Sequence, residues 1–265
     1  LQAAHAACNW SVIWDDHEVE NDYVAQYGRG DSAHFLARRM VAWQAFYENM
    51  PLRDSALQRN FQGLALYRSL QWGKLARLHL LDGRQYRDLQ ACRPEGKAST
   101  GTVDPAECPA LQDPGRSFLG WDQERWLARQ LQDDARERVD ATRWSTVVQT
   151  TLFSARKHPN GRQSTDSWDG YPQARQRLVR QIAESQPRNS VLLGGDIHQN
   201  YVCAIAARAD QAPDKANPVI ASEFCGTSIS SHSGTTQARV DAIVAHNPQV
   251  VFARCEERGY SLVEI

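Results

Sequence analysis

The sequence predicts an α/β fold, and three observations carry that prediction. Short apolar runs of strand length alternate with helical patterns whose apolar residues recur at steps of three and four. Gly, Pro, Asn and Asp punctuate the joins between them. Three of the apolar runs close on an acidic residue, and in open α/β sheets ligands sit beyond the carboxyl ends of the strands, so these acids are expected on one rim.

The elements follow in order. Val12, Ile13 and Trp14 read as an apolar strand end running into Asp15-Asp16-His17-Glu18-Val19-Glu20-Asn21-Asp22, six acidic or imidazole side chains in eight positions. Desolvating such a cluster costs several kcal/mol per ion unless the groups are paired or bind a metal; the competing reading is a solvated acidic turn. Leu36, Met40, Trp43, Tyr47 and Met50 then define one helix face, started by Asp31-Ser32. A polar loop over 51–63 precedes strands over 64–70 and 75–81, paired as a hairpin around Gly73 and closing on Asp82-Gly83-Arg84.

Residues 92–118 form the one long irregular stretch, read as decoration or as a loop bearing on substrate choice. Asp122 caps a helix carrying Trp126, Leu127, Leu131, Ala135 and Val139. A β-branched strand over 144–153 and a turn-rich segment over 154–171 lead to Pro172, which opens a helix with Leu178, Val179, Ile182 and Ala183 inward. The third junction, a strand over 190–193 ending in Gly194-Gly195-Asp196-Ile197-His198, pairs an Asp with a His two positions on, after glycines that let backbone approach an ion. Strands over 201–207, 219–223, 250–255 and 260–264 complete the chain.

Composition narrows the function classes. A chain of 265 residues with 42% hydrophobic content is enough for one large α/β domain. A formal net charge of -1, with basic residues dispersed, argues against a dedicated nucleic-acid surface. No apolar run reaches the roughly 18 to 20 residues of a membrane span, and the chain as given carries no leader pattern. Of the six cysteines, Cys92 and Cys108 flank the insertion and are candidates for a disulfide, while Cys203 and Cys255 read as packed thiols. There is no Cys-x-x-Cys pair, and His17-Glu18 lacks the second His of a zinc-protease helix.

Five segments, WDDHEVENDY (residues 14–23), LDGRQYRD (81–88), DSWDGYP (166–172), GGDIHQNYV (194–202) and EFCGTSISS (223–231), resemble in matching order the PhoD family of alkaline phosphatases, within the calcineurin-like metallophosphoesterases. The resemblance runs from about residue 11 to the last strand. It implies a four-layer α/β/β/α sandwich with residues 1–265 as its catalytic domain, and hydrolysis of phosphate monoesters or diesters by metal-activated water. It also implies iron plus calcium as cofactors, a phosphate ester as partner, and a periplasmic or extracellular location. Family members carry, upstream of the first motif, an immunoglobulin-like domain and a metal-binding Cys and Asp-Tyr pair, so the resemblance implies that the N-terminal part is lacking here. A metal-binding but inactive domain is therefore one alternative. A serine hydrolase is another, with a nucleophile in Gly226-Thr227-Ser228-Ile229-Ser230-Ser231 and His232 or His198 as base, although no Gly-x-Ser-x-Gly elbow is present.

Candidate roles follow residue by residue. Asp196 and His198 resemble the terminal metal-binding motif, and Asp15 or Asp16 joins them; sequence does not separate the two, because a shift of one position exchanges their directions. Asn21 is a neutral oxygen ligand or a loop-capping amide. His17 donates to phosphate or supports a ligand carboxylate. Arg84 is the candidate for a bidentate phosphate clamp, with a salt bridge to Asp82 or Asp88 as its competing use. Trp168 and Tyr171 wall the pocket or pack in the core.

Overall fold

The computed structural model describes residues 2–28, 32–58, 63–95, 97, 99, 101–136, 142–208 and 211–265. In chain order the elements are α1 (Gln2–Ala7), α2 (Ser32–Asn49), β1 (Leu57–Gln58), β2 (Gly63–Leu64), β3 (Arg68–Trp72), β4 (Ala76–Leu80), β5 (Thr102–Val103), α3 (Trp121–Arg136), β6 (Trp144–Val148), β7 (Gln163–Ser164), α4 (Pro172–Ser185), β8 (Val191–Gly194), β9 (Asn200–Ala206), β10 (Val219–Cys225), α5 (Gln237–Val244) and β11 (Val250–Arg254). Seven strands form one sheet in the order β11-β9-β10-β8-β6-β4-β3. Its middle four, β4, β6, β8 and β10, are parallel. Antiparallel β3 closes one edge, and β9 and β11 close the other. The carboxyl ends of four adjacent strands thus share one rim.

Helices α3 and α4 cover one face of this sheet. Leu127 and Leu131 of α3 and Leu178, Val179 and Ile182 of α4 pack over Val147, Leu192, Cys203 and Ile205. Each such side chain contributes roughly 1.5–3 kcal/mol when fully buried. On the other face the strand alternation turns side chains outward, and Phe224 of β10 is 42% exposed. The α/β class is as the sequence predicts. Among the described residues there is one large sheet, so the four-layer arrangement rests on the family resemblance and not on these elements.

A second, smaller core holds the acidic N-terminal segment. Trp14, 1% exposed, stacks on Trp43 with ring centroids 5.0 Å apart, and Val19, Tyr23, Phe35, Phe46, Leu64 and Leu66 complete the cluster. Residues 12–14 belong to no strand, contrary to expectation. An apolar triplet signals burial, and here a tryptophan stack supplies it instead of sheet pairing. The helix face also differs: Phe35, Trp43 and Phe46 are buried while Met40 is exposed, and Arg39 lies over the Trp43 ring at 4.3 Å. A cation on an aromatic face thus occupies the seam that the periodicity gave to Met40.

Other boundaries shift for local reasons. Asp122 lies inside the first turn of α3, where its charge suits the helix dipole, and not at the cap. The strand expected over 144–153 ends at Val148, where the chain turns into the rim. No strand forms over 260–264, and Tyr260 is 87% exposed. Asp31 and Val139 lie outside the described residues.

The 92–118 insertion is more than decoration. A disulfide joins Cys92 and Cys108, and Cys108 packs with Ala91, Val103 and Leu111 in a small apolar nucleus. Strand β5 within it pairs with β7, just ahead of Asp166. Cross-linking a loop of this length removes about 3 kcal/mol of chain entropy from the unfolded state. Reduction, or Cys108→Ser, is therefore expected to destabilise the chain by about 2–4 kcal/mol, read as a lowered urea midpoint; an unchanged midpoint would show that the insertion is uncoupled from the fold.

Candidate metal centre

A cleft of about 380 Å³ opens on the rim where the parallel strands end. Gln149 and Thr150 follow β6, Gly194, Gly195, Asp196 and His198 end and follow β8, and Thr227 and Ser228 follow β10; Trp14, Asp15, Asp16, His17 and Glu18 close the remaining side. This is the crevice that a parallel sheet provides at its carboxyl ends. Its acids converge: one carboxylate oxygen from each of Asp15, Asp16 and Asp196 lies within 4.8 Å of the others.

Each acid is held by its own loop. The Asp16 carbonyl accepts from the Val19 and Glu20 amides at 2.8 and 2.7 Å, winding a tight turn, and its carboxylate accepts from the Asp22 amide at 2.8 Å. Asp196 accepts from the Thr151 hydroxyl at 2.9 Å. A Cβ on Gly194 would stand 2.3 Å from the Thr151 carbonyl oxygen, so only glycine lets β8 pass this close to the β6 loop. The left-handed backbone falls not on the glycines but on Asp196 (φ 67°) and His198 (φ 54°). Non-glycine residues rarely adopt it, and such strain gathers at functional sites.

His198 is oriented through its back edge. Its Nδ1 lies 2.8 Å from the His232 carbonyl oxygen, which only accepts, so Nδ1 donates there and Nε2 is the nitrogen left for a cation. A metal-binding histidine needs that tautomer, fixed by a carbonyl on its far nitrogen.

The electrostatics call for a cation. Burial, then the charges of Asp15 and Asp166, push the Asp196 carboxyl well above the usual carboxylate range. Burial pulls the Arg84 guanidinium down, but Asp15, Asp166 and Asp16 outweigh it and leave Arg84 firmly charged. Four carboxylates, those of Asp15, Asp16, Asp166 and Asp196, face two guanidinium groups, Arg84 and Arg87. With all four ionised, the imbalance would be two negative charges in a desolvated site, which a cation offsets and which otherwise keeps a proton on Asp196. The three convergent carboxylates are a donor set suited to hard cations and fit a metal ion, while His198 lines the same cleft but stands outside that cluster. Thr150 also lines the cleft, but its hydroxyl is buried beside Gly83, with no hydrogen-bond partner among the described residues.

The remaining candidates stand elsewhere. Arg84 is fully buried, behind the acids and not in the cleft lining. Its Nε donates to Asp15 at 2.6 Å, and its two terminal nitrogens donate to the two oxygens of Asp166, both at 2.8 Å. It presents no free fork to a phosphate, and its partners are neither Asp82 nor Asp88. Asp82 instead organises its own turn, accepting from the Arg84 and Gln85 amides at 2.9 Å each.

Trp168 and Tyr171, each 1% exposed, are core residues and not pocket walls. Trp168 stacks on Phe118 at 4.3 Å and donates to the Gln149 side chain at 3.0 Å, while the Tyr171 hydroxyl donates to the Asp88 carbonyl at 2.6 Å. Asn21 does not line the cleft; His17 does, as an exposed side chain. The serine-hydrolase geometry is absent from its expected segment. The Ser228 hydroxyl donates to the Ser231 carbonyl at 2.5 Å, His232 Nδ1 faces Arg258, and His198 Nδ1 faces a carbonyl.

Sequence reasoning missed Asp166 as the partner of Arg84 and Arg87, and Thr151 as the donor to Asp196. Asp166 stands in a segment singled out for its aromatics, and nothing local marks it as the partner of an arginine 82 positions away.

Comparison with known proteins agrees with the geometry. Alkaline phosphatase D of Bacillus subtilis (strain 168) is 36% identical over 268 residues, an alignment covering 98% of this chain and 42% of that protein. A solved structure, described as the structure of PhoD, superposes with a TM-score of 0.84 at 35% identity, covering 98% of this chain and 47% of that one. The chain thus spans less than half the length of each of these relatives. The family model of the PhoD-like phosphatases matches residues 1–265, and the chain belongs to that family.

Proposed function

We propose that this chain carries the metal centre of a phosphoesterase that hydrolyses phosphate monoesters or diesters. The observation that carries this reading is the convergence of Asp15, Asp16 and Asp196 in one cleft at the strand ends. Asp15, Asp16, Asp196 and His198 Nε2 would hold the cations. When bound, they supply charge neutralisation at the phosphoryl group and an activated water near neutral pH. Iron and calcium are the proposed ions: the carboxylates suit calcium, and the mixed oxygen and imidazole set accommodates iron. A periplasmic or extracellular location is proposed with them; the Cys92–Cys108 disulfide suits an oxidising compartment. No helix among the described residues is long and apolar enough to cross a membrane.

The chain's own groups divide the work. His17, exposed on the cleft wall, donates a hydrogen bond to a phosphoryl oxygen or a proton to the departing alcohol. Arg84 acts through Asp15: its 2.6 Å hydrogen bond holds that carboxylate toward Asp196 and offsets part of the cluster's charge before any cation arrives. Trp168 fixes Gln149 in the wall in the same indirect way.

Chelation tests the reading. Metal analysis of the purified chain is expected to find iron and calcium, and prolonged EDTA treatment to abolish release of p-nitrophenol from bis-p-nitrophenyl phosphate, with recovery on adding the metals back. Turnover that survives complete metal removal would reject the proposal, and metal binding without turnover in any phosphoester would leave a binding domain only.

A further inference from the structure

One buried acid stands outside the metal cleft. Glu223 shares with Ala221 and Cys225 the face of β10 that packs into the main core, and it is fully buried. Its two carboxylate oxygens accept from the Phe153 and Ser154 amides at 2.6 and 2.8 Å. Those amides belong to the loop that follows β6, and in the sheet order β10-β8-β6 the carboxylate therefore spans the end of β8. Earlier in the same loop the Thr151 hydroxyl donates to Asp196 at 2.9 Å. Strand β10 also meets the β8 turn directly, the Gly226 amide donating to the Gly194 carbonyl at 3.0 Å and the Cys225 thiol to the Gly195 carbonyl at 3.2 Å. The turn that carries Asp196 is thus held on one side by β10 and on the other by a loop that Glu223 anchors to β10.

Among the described residues no cation pairs with Glu223. Arg175, which faces it from α4, donates to Asp169 at 2.5 Å, and Asp169 repels it. Cys203, its partner across β9, and Cys225 on its own strand are thiols whose pKa burial pushes up, so both stay neutral. Burial pushes the Glu223 carboxyl up to about 7, against the two amides, which lower it. A carboxyl with a raised folded pKa favours the native state most while protonated and costs stability as pH rises through that value. The ionised form is nonetheless the one suited to two N–H donors, since a proton on one oxygen weakens its acceptance. Stability alone does not call for a charge at this place.

We propose that Glu223 is a positioning residue for the metal centre: through the Phe153 and Ser154 amides it sets the loop from which Thr151 orients Asp196 toward the cations. The assignment rests on the phosphoesterase reading and deepens it. With the brace complete only in the ionised form, turnover gains a component that rises with pH through about 7.

The test uses the full chain loaded with iron and calcium, with bis-p-nitrophenyl phosphate as substrate, on both sides of that pH. Glu223→Gln keeps the shape but turns an NH2 group toward an amide donor, so one of the two anchors is lost. It is expected to lower kcat about 10- to 100-fold at alkaline pH with KM little changed, and to remove the component of the pH profile near 7. Thr151→Val cuts the same link at its other end and is expected to produce both losses. Because the two act in series, the double variant should be within about threefold of the worse single one. A second arm needs no turnover: calcium alone, titrated by calorimetry into the metal-stripped chain at alkaline pH, is expected to bind each single variant about tenfold more weakly than the parent.

Parental kcat in folded Glu223→Gln, a loss confined to KM, or fully multiplicative losses in the double variant would overturn the proposal. If Glu223→Gln does not fold, Thr151→Val decides, and a parental pH profile in that variant overturns it. If the parent cleaves no phosphoester, the phosphoesterase reading fails separately; unchanged calcium affinity in both variants would then reject the brace as well, and the tenfold loss would uphold it.

Discussion

Asp196→Asn is expected to lower metal-dependent turnover by about 10³-fold, the scale of losing a principal electrostatic stabiliser, without unfolding the protein. The amide keeps an oxygen for the Thr151 hydroxyl, so the local turn is preserved. Burial and the charges of Asp15 and Asp166 already favour the neutral Asp196 when no metal is bound, so the neutral amide should leave the metal-free variant at least as stable as the metal-free parent. The decisive contrast is thermal. Metal at a hundred times its Kd should stabilise the parent by about 2.7 kcal/mol and the variant by much less.

The same residue sets a pH signature. The folded-state pKa of Asp196 is raised, so without metal the native state holds a proton that the unfolded chain releases near pH 4. Parent stability should then fall as pH rises from that value through the folded pKa, and the variant should lack this component. Equal metal stabilisation of both proteins would remove Asp196 from the ligand set.

What the sequence made legible was local. Gly194-Gly195-Asp196-Ile197-His198 announces itself because an apolar strand, two small residues and two ligand-type side chains are contiguous, and β8 does end there. The α3 and α4 stripes are legible for the same reason, a period of 3.6 over a dozen residues. Trp14 was misread as a strand end because three apolar residues specify burial without specifying the partner, and the partner is a tryptophan on α2. Arg84 was misread more deeply. A guanidinium near a cluster of acids suits a phosphate clamp as well as it suits an ion pair, and only folding brings Asp166 against it. Trp168 and Tyr171 carry the same ambiguity, since an aromatic beside a motif packs equally well inward.

The largest stability effect is expected at that hidden partner. Asp166 accepts from both terminal nitrogens of Arg84, from Arg87 Nη1 at 2.9 Å and from the Gln90 amide at 2.8 Å. Asp166→Asn is nearly isosteric but leaves two buried guanidinium groups without their shared counter-charge. Removing one partner of a buried ion pair costs about 3–5 kcal/mol, because the remaining charge stays desolvated. A urea midpoint shift of that size is expected, far beyond what Asp196→Asn produces. Activity should fall too, since Arg84 freed from Asp166 no longer fixes Asp15, and it should fall with weakened metal affinity.

Acid titration separates this role from a merely steric one. Burial raises the Asp166 carboxyl, but Arg84 and Arg87 outweigh it and hold the folded-state pKa below its ordinary value. The stability it confers is thus complete above about pH 4, the unfolded value, and disappears as pH falls through the lower folded one. The parent should lose this component of its stability in strong acid, and Asp166→Asn should not, so the two curves of unfolding free energy should converge as pH falls below 4. Parallel curves would mean that Asp166 acts by shape alone, and Arg84 would then need another source for its place behind the acids.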